Sequence, residues 1–204
     1  MSTDVNITYV NNSESTDKPT IFVFSKNVAP TFDVLKHGVA WRVMPNIGKG
    51  SSSSFIFPIN TTVQATWGDG NRTAMLDAVA GKRYIVEEDN TGIVIKQEGQ
   101  ASQPGAIEVK NLIHVPGGIH AQVCKDGKVF MNIGIVAYDQ TAVFIIHPKL
   151  YWGMASEIEE GQSISSVVLD TDDFFEQDLM GVTSATVTLI GNPREGYRFL
   201  VENE

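Results

Sequence analysis

With a single cysteine in 204 residues, Cys124, the chain cannot form an intramolecular disulfide, which excludes a bridge-stapled secreted scaffold. No apolar run approaches the roughly 20 residues that a helix needs to cross a bilayer. The opening residues, Met1-Ser2-Thr3-Asp4-Val5-Asn6, supply neither a basic nor an apolar stretch, so no classical signal-peptide pattern is present. A cytoplasmic chain, or one exported without such a signal, is the expectation. Basic residues are scarce where acids gather: from Gln100 onward 6 Lys and Arg face 14 Asp and Glu, and none lies between Gly153 and Asp178. A net charge of −9 placed in this way leaves no basic face for a phosphate backbone or an anionic membrane, so nucleic acid is not an expected partner.

Catalytic patterns are also missing. There is no Gly-x-Ser-x-Gly elbow and no Gly-rich phosphate cradle of the Walker or Rossmann form. Cys124 ends an alternating stretch, Ala121-Gln122-Val123-Cys124, where a buried small hydrophobe is expected. His120 shares its face in a strand but lies about 13 Å away, too far for a nucleophile–base pair. No catalytic residue and no cofactor is expected.

What the chain does contain is a core and a rhythm. Hydrophobic residues make up 42% and charged residues 19%, enough apolar surface for a globular fold. Period-two alternation predicts strands with one buried face at Val5–Val10, Thr20–Ser25, Val39–Val43, Ser53–Phe57, Thr62–Trp67, Arg83–Glu87 and Gly92–Lys96. Beyond Gly105 it predicts Ile107–Ile113, His120–Cys124, Lys128–Asn132, Gly134–Ala137, Ala142–His147, Ser165–Leu169, Ala185–Ile190 and Tyr197–Val201. Gly48-Lys49-Gly50 with Ser51–Ser54, Asp69-Gly70-Asn71, Asp89–Gly92 and Lys125-Asp126-Gly127 read as turns. Short helices are expected near Thr73–Ala80 and Thr171–Met180, the second beginning with acids that suit a helix N-terminus.

A degenerate repeat organises these segments. Ile7–Asn12 has a counterpart in Ile107–Asn111, each an alternating strand ending on Asn. Phe55-Ile56-Phe57-Pro58 followed by Trp67-Gly68 has one in Val143–Pro148 followed by Trp152-Gly153. The expected fold is therefore all-β: two related antiparallel sandwich-like halves at 1–99 and 106–204, joined by a short polar linker at 100–105 and packed together. The second half carries the acidic segment 157–178. Val5–Val10 is expected to pair in a sheet or to be held by another subunit.

Three constellations invite chemistry. His114-Val115-Pro116-Gly117-Gly118-Ile119-His120 is similar to the second metal-binding motif of cupins, with Pro and Gly shaping a turn before a His-bearing strand. It is one residue short, and the His-x-His and Glu of the first cupin motif are missing upstream, so His114 and His120 stand alone as metal-ligand candidates. Asp170–Asp178 spaces oxygens like the start of a calcium loop but lacks the mid-loop Gly and terminal bidentate Glu, and fits a solvated helix face better. Trp41, Tyr151 and the polar loop residues Asp69, Asn71 and Asp139 could together recognise a sugar, the aromatic faces stacking and the loops supplying hydrogen bonds. Trp67 and Trp152 read instead as core.

The order Val10-Asn11-Asn12-Ser13, Phe22-Val23-Phe24, Val39-Ala40-Trp41 and Thr62–Trp67 resembles the start of the RhiA-like proteins of soil and plant-associated bacteria. Tyr151-Trp152 and Val167–Asp170 extend the resemblance into the second half, while Val39 replaces a Leu and the loops differ. The resemblance implies a small β protein without established catalytic activity and gives no catalytic residues to carry over. The leading expectation is thus a non-enzymatic protein that acts by binding or self-association, as a homo-oligomer. The alternatives are a carbohydrate- or lipid-recognising module of lectin or pore-former type, and a metal-dependent enzyme built on His114 and His120.

Overall fold

The computed structural model describes residues 4–15, 20–29, 37–166 and 174–204. Among them the chain is nearly all strand, as the alternation predicts, and it divides into two compact units. The first comprises Met1–Ser25, Ala40–Ile59 and Pro148–Glu204; the second comprises Lys26–Val39 and Asn60–His147. These differ from the halves 1–99 and 106–204, because the segment after Gln100 joins two strands of one sheet inside the second unit.

The first unit is a sandwich of two sheets. Sheet A has the order β17-β16-β1-β4, with β1 Val5–Asn11, β4 Ser52–Phe57, β16 Ser184–Asn192 and β17 Gly196–Asn203. Sheet B has the order β15-β14-β2-β3, with β2 Thr20–Phe24, β3 Arg42–Met44, β14 Lys149–Ala155 and β15 Phe175–Asp178. Trp152 of β14 is fully buried between the sheets, stacked on Tyr9 of β1 at 6.2 Å and flanked by Phe55 and Phe199 at 6.0 Å each. Burying an aromatic of this size contributes several kcal/mol, about what its truncation to Ala removes. Gly153, next to Trp152, is required by space: a Cβ there would sit 2.5 Å from the Phe22 ring.

The second unit repeats the plan. Sheet C has the order β13-β10-β8-β9, with β8 Lys82–Asp89, β9 Gly92–Gln100, β10 Ile107–Asn111 and β13 Thr141–Phe144. Sheet D has the order β12-β11-β5-β6, with β5 Thr62–Trp67, β6 Asn71–Arg72, β11 Ile119–Lys125 and β12 Lys128–Val136, and with β7 Leu76–Asp77 also on β5. Sheets A and C each contain one parallel pair, β1 with β16 and β10 with β8, where only antiparallel pairing was expected. In strand order β1, β4, β16 and β17 correspond to β10, β13, β8 and β9. Sheet A therefore takes one half from the start of the chain and the other from its end, whereas sheet C is built from the continuous stretch 82–144.

Asn11 and Asn111 make the correspondence concrete. Each ends its strand, accepts at Oδ1 from the amide two residues on (Ser13 or Ile113, both 2.9 Å), and donates from Nδ2 to a distant carbonyl (Ile47 at 2.7 Å or Val136 at 2.9 Å). Their backbone carbonyls accept from Gly50 and Asp139, both at 2.7 Å. An Asn is needed there because only a short side chain with donor and acceptor satisfies a turn amide and a neighbouring carbonyl together. Trp67 and Trp152 do not correspond. Trp152 pairs with Val23 and Val63 with Val123, and both of those valines lie at the same distance along the chain from their Asn. Val63, fully buried, holds the place of Trp152, while Trp67 ends β5 partly exposed.

Three local expectations change. The helix expected at Thr73–Ala80 is absent, since Leu76 and Asp77 pair with Val63 and Thr62. The described part of Thr171–Met180 contains a strand, in which Gln177 pairs with Leu150 and accepts a 2.9 Å hydrogen bond from the Trp152 indole. The serine run read as a turn supplies the first half of β4, which extends the expected strand Ser53–Phe57 by one residue. Val167–Leu169 and most of the acidic tract 170–173 fall outside the described residues, and Ile164–Ser166 is a 3-10 helix.

Candidate functional site

Two surfaces differ between corresponding places in the two units. The first is the face of sheet A turned away from its core. Register puts Ser54, Thr8 and Thr186 in one row and Ser52, Val10 and Thr188 in the next. The Thr8 and Ser54 hydroxyls meet at 3.0 Å. No charged side chain occurs in the outward positions of β1, β4 and β16, Ile56 and Leu200 are exposed at its two edges, and the charges of this face, Arg198 and Glu202, are confined to the edge strand β17. The corresponding face of sheet C is charged. Glu108 and Arg83 stand where Thr8 and Thr186 do, with Arg83 Nε 2.9 Å from Glu108 Oε2, and Lys110 pairs with Asp139 at 2.6 Å. Lys96 and Glu87 form a further ion pair.

The Glu108 carboxylate is structural. It is fully buried, and its Oε1 accepts from the Ser102 amide at 2.8 Å and from the Ser102 hydroxyl, tying the β9–β10 connection to the sheet. Burial pushes the carboxyl up, but the Ser102 and Arg83 hydrogen bonds outweigh it and hold Glu108 below the usual carboxylate range.

The second surface is a hollow of about 560 Å³ where the β10–β11 connection meets the end of β12 and the turn into β13. Such a volume lies within the roughly 300–1,000 Å³ of small-molecule sites. Its apolar walls include Ile113, Val115, Pro116 and Ile135. The His114 and Tyr138 rings stack at 3.7 Å, 19° from parallel. Gly118 is obligatory at φ +71°, where a Cβ would meet the Val136 carbonyl oxygen at 2.8 Å.

Ile135 is the unusual residue. It adopts φ 59°, although a β-branched side chain in the left-handed region costs about 1–2 kcal/mol, and it is 74% exposed. In the first unit the residue before the carbonyl bonded to Asn11 has the same conformation, φ 57°, but is Asn46, which tolerates it. The counterparts of His114 and Tyr138 are Glu14 and Lys49, which form an exposed ion pair. The same backbone thus carries an ion pair in one unit and an aromatic stack beside a strained apolar wall in the other.

The sugar-site residues scatter. Trp41 is fully buried, edge-on to Phe55 and Phe57 at 5.7 and 5.8 Å, and offers no stacking face. Tyr151 is buried beside Phe24 and donates to Glu176 Oε2 at 2.9 Å. Burial and then Glu176 push its phenol up to about 12. Both belong to the first unit, whereas Asp69 and Asp139 are exposed in turns of the second and Asn71 is exposed at the start of β6. Thr66 opposes His120 and Ile119 opposes Val136, so those two turns and the hollow share one end of sheet D.

Among the described residues no group of three or more His, Cys, Asp or Glu could hold a metal. His114 is engaged with Tyr138, and His120 lies over Gly134, whose added Cβ would be 2.9 Å from its Nδ1. Cys124 is buried, and desolvation pushes its thiol up to about 11, so it stays protonated at neutral pH. The sequence named His114 and Asp139 without Ile135 and Tyr138, whose role follows from register and backbone angle. Compared with protein-family models, with curated proteins and with solved structures, the chain matches none.

Proposed function

We propose that this protein acts by non-covalent association and not by catalysis, and that its partner is a second copy of itself, joined through the face of sheet A, whose strands β1, β4 and β16 present no charge. The observation that carries the reading is the contrast between this face and its counterpart. Where sheet C fills its outward positions with ion pairs across its central strands, the central strands of sheet A present hydroxyls and Val10, with Ile56 and Leu200 at the edges and charge only at Arg198 and Glu202 of β17, in a chain of net charge −9. Burying Ser and Thr that can hydrogen-bond across a two-fold axis costs far less than burying ion pairs. The three uncharged strands and the edge strand β17, spaced by about 4.8 Å and each of about seven residues at 3.3 Å, give a face of roughly 19 by 23 Å. A two-fold contact of that size buries on the order of 900 Å², which suits a weak, concentration-dependent dimer. The buried, protonated Cys124 and the saturated carboxylate of Glu108 support the non-catalytic part of the reading.

Sedimentation velocity across micromolar to millimolar concentrations tests it. The expected result is a monomer–dimer equilibrium that Thr186→Arg abolishes while leaving the fold intact. A monomer throughout, or an oligomer indifferent to Thr186→Arg, overturns the proposal.

A further inference from the structure

We infer that the hollow beside His114 and Tyr138 binds a small uncharged ring compound with apolar faces and a hydrogen-bonding edge. This site is separate from the sheet A face and stands on different observations. Its walls are apolar side chains, and its rim carries stacked imidazole and phenol rings, of which Tyr138 keeps 49% of its surface exposed. An exposed phenol beside aliphatic groups offers a flat ligand a stacking face together with a polar edge. Charge argues against an ionic ligand. Asp139, next in the chain to Tyr138, is paired with Lys110 at 2.6 Å, and no Asp, Glu, Lys or Arg lines the hollow.

The comparison within the chain supplies the second observation. Structural needs alone are met at the corresponding place by Asn46, Glu14 and Lys49, which relax the left-handed residue and close an ion pair. The second unit instead keeps an exposed isoleucine in a strained conformation and leaves a tyrosine half in solvent. Strain held at an exposed position, beside a concave aromatic site, marks a place kept for contact with a ligand. Aromatic heterocycles and pyranose rings share the required chemistry, a flat apolar face and a polar rim.

The test uses the full chain, labelled with ¹⁵N and titrated separately with methyl pyranosides and with indole, while amide shifts are followed. The expected result is saturable shifts at Gly117, Gly118 and Tyr138 at millimolar concentrations for one probe class, which also distinguishes sugar from aromatic ligands. The variant His114→Glu/Ile135→Asn/Tyr138→Lys installs the residues of the first unit and is expected to fold. It should bind that probe at least roughly tenfold more weakly while melting no lower than the parent chain. Absence of saturable shifts with both probe classes, or shifts retained in the variant, overturns the inference. Neither result depends on whether the chain dimerises, because Thr186→Arg can be used as the background.

Discussion

Sheets A and C share a strand order, a parallel pair and a buried terminal Asn, yet their outward faces have opposite chemistry. Thr8 and Thr186 occupy the places of Glu108 and Arg83, and Val10 the place of Lys110. The inward residues are fixed by packing, so both units keep apolar side chains there. The outward residues are free to diverge, and they record what each surface meets: water and its own connecting loop for sheet C, and by our proposal a second copy for sheet A. The loop pair teaches the same lesson on a smaller scale, because the backbone around Asn11 and Asn111 is held constant while Glu14 and Lys49 give way to His114 and Tyr138.

The contrast between faces can be broken most strongly at Glu108. Glu108→Gln removes a buried charge-assisted partner of Arg83 and Ser102, with an expected loss of about 2–3 kcal/mol in urea unfolding, whereas Thr8→Val at the matching position should change stability by less than about 0.5 kcal/mol. The pH dependence has a defined sign. Glu108 is held below its unfolded value, so its stabilisation is fully present above about pH 4.3 and drains as pH falls toward the lower folded value. The parent chain should therefore lose stability faster than Glu108→Gln on acidification below roughly pH 5. Equal slopes would mean that the carboxylate is not held as described.

A smaller effect sharpens the loop comparison. Ile135→Asn should raise stability by about 1 kcal/mol by relieving the left-handed isoleucine, and the reverse exchange Asn46→Ile should lower it by about 1–2 kcal/mol. Thermal unfolding of the two variants should move in opposite directions. A loss of stability in Ile135→Asn would show that the isoleucine packs well enough to outweigh its backbone strain.

The sequence carried the strands because alternation is local, and it carried the Asn11/Asn111 correspondence because a strand-ending Asn has one geometric use. It misled at Trp67, where a recurring Trp-Gly pair is composition without register: the structure sets Val63, four residues earlier, opposite the strand that matches the partner of Trp152. Acidic residues around Phe174 and Phe175 look like a solvated helix face, but Phe175 and Gln177 alternate inward on β15, one contacting Phe199 and the other the Trp152 indole. The composition of the two units was illegible because β1 pairs with β16 across almost the whole chain, a contact that no local pattern encodes. The strand expected at Ser53–Phe57 forms and begins one residue earlier, so Ser52 and Ser54, assigned to the neighbouring serine turn, belong to the hydroxyl face, while Ser53, Phe55 and Phe57 point inward.

The central claim is that the outward faces of sheets A and C meet different surroundings in solution. Solvent paramagnetic relaxation measured on the full chain at low and high protein concentration tests this directly. The account predicts that amides and methyl groups of Thr8, Val10, Thr186 and Thr188 lose solvent exposure as concentration rises, while Lys110 at the matching position of sheet C does not change. Equal and concentration-independent relaxation on both faces would contradict it.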